Sequence, residues 1–133
     1  MATLKPSNGG KRLTRPEANA RLQRLYLRLR SRYWTSQGLE LPSLDKVAVA
    51  FVKMDDYDGR HVFDHRDPNH ISYLLMGAEL AGWEDDLERI LLHEMAHLYV
   101  DRRRLQKGES EHGPMWQREM ARLFRLGAFW KHL

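Results

Sequence analysis

The N-terminal part of the chain carries apolar residues at helical spacing. Leucines and tyrosines recur three and four positions apart over residues 22–33, which places them on one face of a helix. Thr14 and Glu17 have the spacing of a capping box, and Pro16 suits the first helical turn. The pattern therefore predicts a helix that begins at about Thr14 and ends within residues 33–36.

Three short stretches in the middle of the chain have the composition of strands. Residues 46–53 are rich in valine and alanine, and residues 60–64 and 70–76 each follow a turn-forming segment. The turn after the first stretch contains three aspartates and a glycine, which indicates a hairpin between the first two strands. We therefore expect a small, mostly antiparallel three-stranded sheet.

Two more helices are predicted after the strands. The first spans about residues 83–105; it opens with three acidic residues and closes with three arginines, as the helix dipole favours. The second begins at Pro114 and runs to about residue 126. Together the elements predict an α+β fold in one domain over residues 13–133, with a basic N-terminal helix and a flexible tail over residues 1–12.

Composition limits the class of protein further. The chain has 133 residues, the length of one domain, and 42% of them are apolar, as in a soluble globular protein. It contains no run of the roughly 18 apolar residues that a membrane span requires, and its first ten residues lack the apolar core of a secretory signal. It also has no cysteine, which excludes disulfides and thiolate zinc sites. We expect an intracellular protein, in the cytoplasm, associated with the nucleoid or in the nucleus, that does not contact a membrane.

Positive charge is concentrated near the N-terminus. Residues 1–34 hold nine Lys and Arg and one acid, net +8, whereas residues 35–133 hold thirteen and seventeen, net −4, which together give the +4 of the chain. A basic region suggests contact with DNA or another polyanion, and the alternative is an ordinary solvated helix face. The candidate DNA-binding residues are Arg21, Arg24 and Arg28 in the first helix and Arg102, Arg103 and Arg104 at the end of the second.

The helix predicted over residues 83–105 contains a recognisable chemical motif. His93 and His97 are four positions apart, so both imidazoles project from one face of a helix and can share a metal ion. Glu94 follows the first histidine and can reach water at that metal without being a ligand. This is the His-Glu-x-x-His pattern of zinc metalloproteases. Apolar residues flank it, and burying such polar groups is unfavourable unless they have partners.

The third metal ligand has to come from outside the motif, because a catalytic zinc usually has three protein ligands. The continuation His-x-x-Gly-x-x-His is excluded, since Val100 and Arg103 occupy its last two defined positions. Glu119, in the last helix, and His112, at a loop-to-helix junction, are both candidates, and we favour His112. The remaining histidines of the central region are interpreted as surface residues: His61, His65 and His70.

These groups suffice for hydrolysis of a peptide bond. Zinc lowers the pKa of water to about 7 and polarises the carbonyl. Glu94 can accept the proton from that water and pass it to the leaving amine. We therefore predict a zinc-dependent endopeptidase with one Zn²⁺ per chain, held by His93, His97 and His112, and with Glu94 as its catalytic residue.

The two histidine motifs together resemble the SprT-like zinc metalloprotease domain of the Spartan/SprT family. The resemblance lies in residues 93–97 and in the His-Gly-Pro-Met-Trp sequence of residues 112–116, and more loosely covers residues 20–130. It implies a minimal zincin-like fold, intracellular proteolysis and His112 as the third zinc ligand. The family includes a DNA-dependent protease that degrades proteins crosslinked to DNA, so DNA-associated proteins are candidate substrates.

The same analogy suggests how substrate binds. We expect a protein or peptide substrate to lie extended along an edge strand, for which we choose residues 70–76, with Ile71, Ser72 and Tyr73 as contacts. We further expect a monomer and DNA contact through the basic N-terminal helix. Two alternatives stay open: a regulatory metalloprotease that cleaves a repressor, and a nucleic-acid-binding module with a structural zinc.

Overall fold

The computed structural model describes residues 14–55, 59–63, 68–103 and 112–130 of the chain. These residues form an α+β domain of three helices and a three-stranded sheet, which confirms the predicted fold class. In chain order the elements are α1 (Arg15–Tyr33), β1 (Val47–Val52), β2 (Gly59–Phe63), β3 (Ser72–Gly77), α2 (Glu84–Arg102) and α3 (Pro114–Arg125). The predicted tail, residues 1–12, lies outside the described residues.

Helix α1 forms as its sequence predicts. The Thr14 hydroxyl accepts a hydrogen bond from the Glu17 amide at 3.3 Å, which caps the first turn. The helix ends at Tyr33, and a short 3₁₀ turn follows that closes at Gly38, whose φ of 72° favours glycine. One stripe of the helix is buried against the rest of the domain, and its members are Ala18, Leu22, Tyr26, Leu29 and Tyr33.

The sheet is mixed rather than mostly antiparallel. Strand β3 lies between the other two, parallel to β1 and antiparallel to β2. Leu74 of β3 faces Val49 of the parallel strand β1 on one side and His61 of the antiparallel strand β2 on the other. The hairpin predicted between β1 and β2 is therefore wrong. The side chains of Leu74 and Met76 are fully buried, whereas β2 carries glycine, arginine and histidine, so the more apolar strand occupies the centre.

The two outer edges of the sheet differ. At β1, Asn19 of α1 accepts a hydrogen bond from the Phe51 amide at 2.9 Å, and Gln23 donates to the Val49 carbonyl at 3.4 Å. Side chains of α1 thus form hydrogen bonds with backbone groups at that edge. Within the described ranges no strand pairs with the outer edge of β2.

Helix α2 runs through the middle of the hydrophobic core. Leu91, Leu92, Met95 and Leu98 are fully buried and belong to one cluster with residues of α1, β1, β3 and α3. Burial of this apolar area is the main source of stability for the domain. The core thus holds the helix that carries the histidine motif in place.

Among the described residues, no helix is both long and apolar enough to span a membrane.

Candidate metal centre

The two motif histidines lie one turn apart on α2, as their spacing predicts. The centroids of the His93 and His97 rings are 5.0 Å apart. His97 is only 3% exposed, and Glu94, between them in sequence, is 8% exposed. The helix therefore presents both imidazoles and the carboxylate in a largely buried environment.

A third histidine reaches this pair from the start of α3. Gly113 is the N-cap residue of that helix and Pro114 begins its first turn. The Gln117 side chain donates a hydrogen bond to the His112 carbonyl at 2.9 Å, which fixes the backbone at this junction. As a result the His112 ring lies 5.4 Å from the ring of His93 and 4.8 Å from that of His97.

The three histidines fit a metal ion. Each offers one ligand atom, and these atoms all lie within 4.8 Å of one another. Both ring nitrogens of His97 are buried, and neither has a hydrogen-bond partner in the described part of the chain. Buried polar atoms normally have partners, and a metal ion at this cluster would supply one.

The electrostatics of the cluster suit ligation. The pKa of His97 is lowered from 6.5 to about 3, chiefly by burial and further by the neighbouring imidazoles of His93, His112 and His61. His97 is therefore neutral at physiological pH. A neutral imidazole is the form that binds a metal, so no proton has to be removed first.

Strand β2 approaches the site closely. A Cβ atom at Gly59 would lie 2.6 Å from Cε of Met76, 2.9 Å from Cγ2 of Ile90 and 3.1 Å from Cγ of Glu94. Only a glycine permits this contact between the strand and α2. Gly59 thus brings the backbone of the outer strand next to Glu94.

His61 belongs to this neighbourhood, although we interpreted it as a surface residue. Alternate residues of a strand face the same side, so His61 faces α2 as the missing side chain of Gly59 would. It is half-buried and is one of the groups that lower the pKa of His97. The strand pattern could have placed His61 on the same face as Gly59, but not next to α2. His70 is exposed, as expected, and has a positive φ of 53°.

Glu119, the alternative third ligand, is engaged elsewhere. It is buried, at 6% exposure, and forms an ion pair with Arg122 one turn later. Arg122 in turn donates to the Tyr33 carbonyl at 2.6 Å, so both residues join α3 to the end of α1. Glu119 is therefore buried and paired, and the structure brings His112, not Glu119, to the motif.

The proposed substrate contacts at residues 71–73 need correction. Strand β3 is the central strand, so its backbone is already paired on both sides and cannot take up a peptide. Ser72 is fully buried and accepts a hydrogen bond from Nε of Arg102 at 3.1 Å. Ile71 lies half-buried just before the strand, and Tyr73 is 40% exposed on the opposite face of the sheet from Ser72.

The arginines of α1 line a groove of mixed charge. Arg21 forms a 2.5 Å ion pair with Glu84 at the start of α2. Arg24 and Arg28 line the same groove, of about 240 Å³, whose other wall carries acidic residues of the first turns of α2. Acidic residues of α2 therefore partly balance the positive charge of α1 on this side of the domain.

The second group of candidate DNA-binding arginines has other contacts. Arg102 donates to the Ser72 hydroxyl, to the Lys46 carbonyl at 3.1 Å and to the His70 carbonyl, and so ties the end of α2 to the starts of β1 and β3. Arg102 therefore supports the fold, and its role in nucleic-acid binding stays a prediction. Arg103 lies over the ring of Tyr99, and Arg104 lies outside the described residues.

A helix with two motif histidines, a third histidine from the next helix and a small mixed sheet beside them define a small zincin-like domain with a potential metal centre. The chain matches the model of the SprT-like family over residues 8–130, nearly its whole length, and belongs to that family. Comparison with curated proteins yields no match.

Proposed function

We propose that the chain is a zinc-dependent endopeptidase. The observation that carries this proposal is the convergence of His93, His97 and His112, together with the buried Glu94, which follows His93 in the chain. Imidazoles suit zinc, and three protein ligands are typical of catalytic sites, whereas structural sites usually have four. Membership of the SprT-like family agrees with a metallopeptidase-type domain.

The chain's own residues would perform the proton transfers. When bound, zinc would act as a Lewis acid that polarises the carbonyl of the substrate and lowers the pKa of the attacking water. Glu94 would accept a proton from the attacking water and deliver it to the nitrogen of the leaving amine. Because Glu94 is only 8% exposed, little water screens its carboxylate, and its interaction with the charge that develops in the reaction is stronger.

The outer edge of β2 is the part of the sheet best suited to a substrate. The edge of β1 is occupied by Asn19 and Gln23 of α1, and β3 is central. An extended peptide that pairs with β2 would pass Gly59, next to Glu94, and so bring a carbonyl towards the histidines. Of the three residues first chosen, Ser72 is fully buried, whereas the half-buried Ile71 and the exposed Tyr73 stay candidates for contact with a side chain of the substrate.

The proposal is tested by Glu94→Gln. The zinc-loaded variant should retain one zinc per chain, since Glu94 is not a ligand, but should cleave an unfolded protein such as casein about 10²–10⁴-fold more slowly. Glu88→Gln is the matched control, because Glu88 is equally buried on the same helix. Cleavage by the Glu94→Gln protein at the wild-type rate would refute the proposal, and assays with and without single-stranded DNA test DNA dependence.

A further inference from the structure

Trp116 is packed against all three histidines. It lies on the first turn of α3, and its ring centroid is 4.9 Å from that of His93, 5.2 Å from His97 and 4.6 Å from His112. The three histidine centroids are themselves 4.8–5.4 Å apart. Four rings with six nearly equal separations form an almost regular tetrahedron, so the indole closes one side of the triangle of imidazoles.

The ring planes show how the indole constrains each histidine. The indole is stacked on His97 with an angle of 17° between planes, and meets His93 and His112 at 62° and 68°. Stacked and edge-to-face pairs at these separations are favourable arrangements of aromatic rings. If any of the three imidazoles turned about its Cβ–Cγ bond, it would lose this ring contact with Trp116.

Hydrogen bonding does not provide this constraint for His97. Metal-binding histidines usually donate their second ring nitrogen to a carboxylate or carbonyl, which sets the orientation of the ring. Within the ranges that the structure describes, neither nitrogen of His97 has such a partner. Of the ring contacts of His97, only the one with the indole is stacked, at 17° between planes, so turning the His97 ring would disturb it.

The indole N–H is not part of the arrangement. Nε1 of Trp116 is buried and has no acceptor among the described residues. The aromatic surface, and not the hydrogen-bond donor, therefore accounts for the contacts with the histidines. A phenylalanine at this position would keep an aromatic face, although a smaller one, and would lose the donor.

We propose that Trp116 is the positioning residue of the three-histidine site, and that ring packing takes the place of a hydrogen bond in orienting His97 for metal binding. This inference rests on the proposed metal centre and goes beyond it, because it assigns the orientation of the ligands to one residue. It predicts that metal affinity depends on an aromatic side chain at position 116.

The test is a metal titration of the folded chain. Zn²⁺ affinity of the metal-free protein is measured against a chelator, and Co²⁺ binding is followed by its visible absorption. Trp116→Leu should weaken both about 10–100-fold, the range for loss of a residue that orients a ligand. Trp116→Phe should restore most of that loss. Trp130→Leu is the control, because Trp130 is 66% exposed and has no ring contact with the histidines among the described residues.

Each outcome bears on the proposal. Equal affinity of Trp116→Leu and the wild type would overturn it. A loss as large in Trp116→Phe as in Trp116→Leu would overturn it too, because an aromatic ring at position 116 would then not be what orients the ligands. If Trp116→Leu does not fold, the comparison of Trp116→Phe with Trp116→Met replaces it. The titration needs no proteolysis, so a protein that binds zinc in this way but cleaves nothing would refute the endopeptidase and leave the role of Trp116 intact.

Discussion

Gly59 offers the most direct test of how β2 and α2 are fitted together. Gly59→Ala adds a methyl group that would lie 2.6 Å from Cε of Met76, 2.9 Å from Cγ2 of Ile90 and 3.1 Å from Cγ of Glu94. The end of a methionine can move at little cost. The β-branched Ile90 cannot rotate away as readily, so the strand itself has to shift from the helix.

The size of the effect follows from these contacts. Overpacking a core by one methyl group costs about 1–3 kcal/mol. For a domain of this length, 1 kcal/mol lowers Tm by roughly 4 °C, so we expect Tm to fall by about 4–12 °C. Because the new methyl also presses on Glu94, cleavage by the folded protein should fall more than stability alone explains.

The assay combines thermal unfolding with the rate of casein cleavage at a temperature where the variant is folded. Gly38→Ala is the matched control: the same methyl group has nothing within 4 Å there, so only the positive φ of 72° is strained. That control should lose stability and keep the cleavage rate. A Gly59→Ala protein with unchanged Tm and unchanged activity would refute the close contact between β2 and the metal-site helix.

Three other predictions concern single groups. The pKa of His97 is about 3 in the folded chain, against 6.5 for an ordinary histidine. The free energy of unfolding of the metal-free protein should therefore be highest above pH 6.5 and fall by up to about 1.4 kcal/mol per pH unit as the pH decreases towards 3. Urea unfolding at several pH values checks this, and a flat profile would contradict it. Arg102→Lys should lower Tm without changing DNA affinity, because one ammonium cannot replace the contacts of Arg102 with Ser72 and two carbonyls. Neutralising Arg24 and Arg28 should weaken any binding of single-stranded DNA and reduce its dependence on salt, and unchanged binding would favour a solvated helix face.

Much of the site could be predicted because its parts are close in sequence. The four-residue spacing of His93 and His97 determines their common face on any helix, and Glu94 is fixed by the same geometry. The junction at His112 was recognisable because glycine and proline mark a helix start. Trp116 was visible in the same motif, but no spacing rule indicates that its ring would touch all three histidines.

Pairing of strands could not be predicted in the same way. A turn rich in Asp and Gly favours a hairpin locally, yet β3 enters between β1 and β2 because its side chains bury more apolar surface. That one change moves the available edge from residues 70–76 to β2. It also explains why His61 lies near the site and why Ser72 is buried.

The sequence by itself determined the helices, the strands' approximate positions and the histidine motifs, because capping, periodicity and spacing are local properties. The tertiary structure alone decided the order of the strands, the contact of Arg122 with Tyr33, the structural role of Arg102 and the packing of the Trp116 ring against His93 and His97. Each of these depends on contacts between residues far apart in the chain, and their energies become defined only when the whole core is assembled.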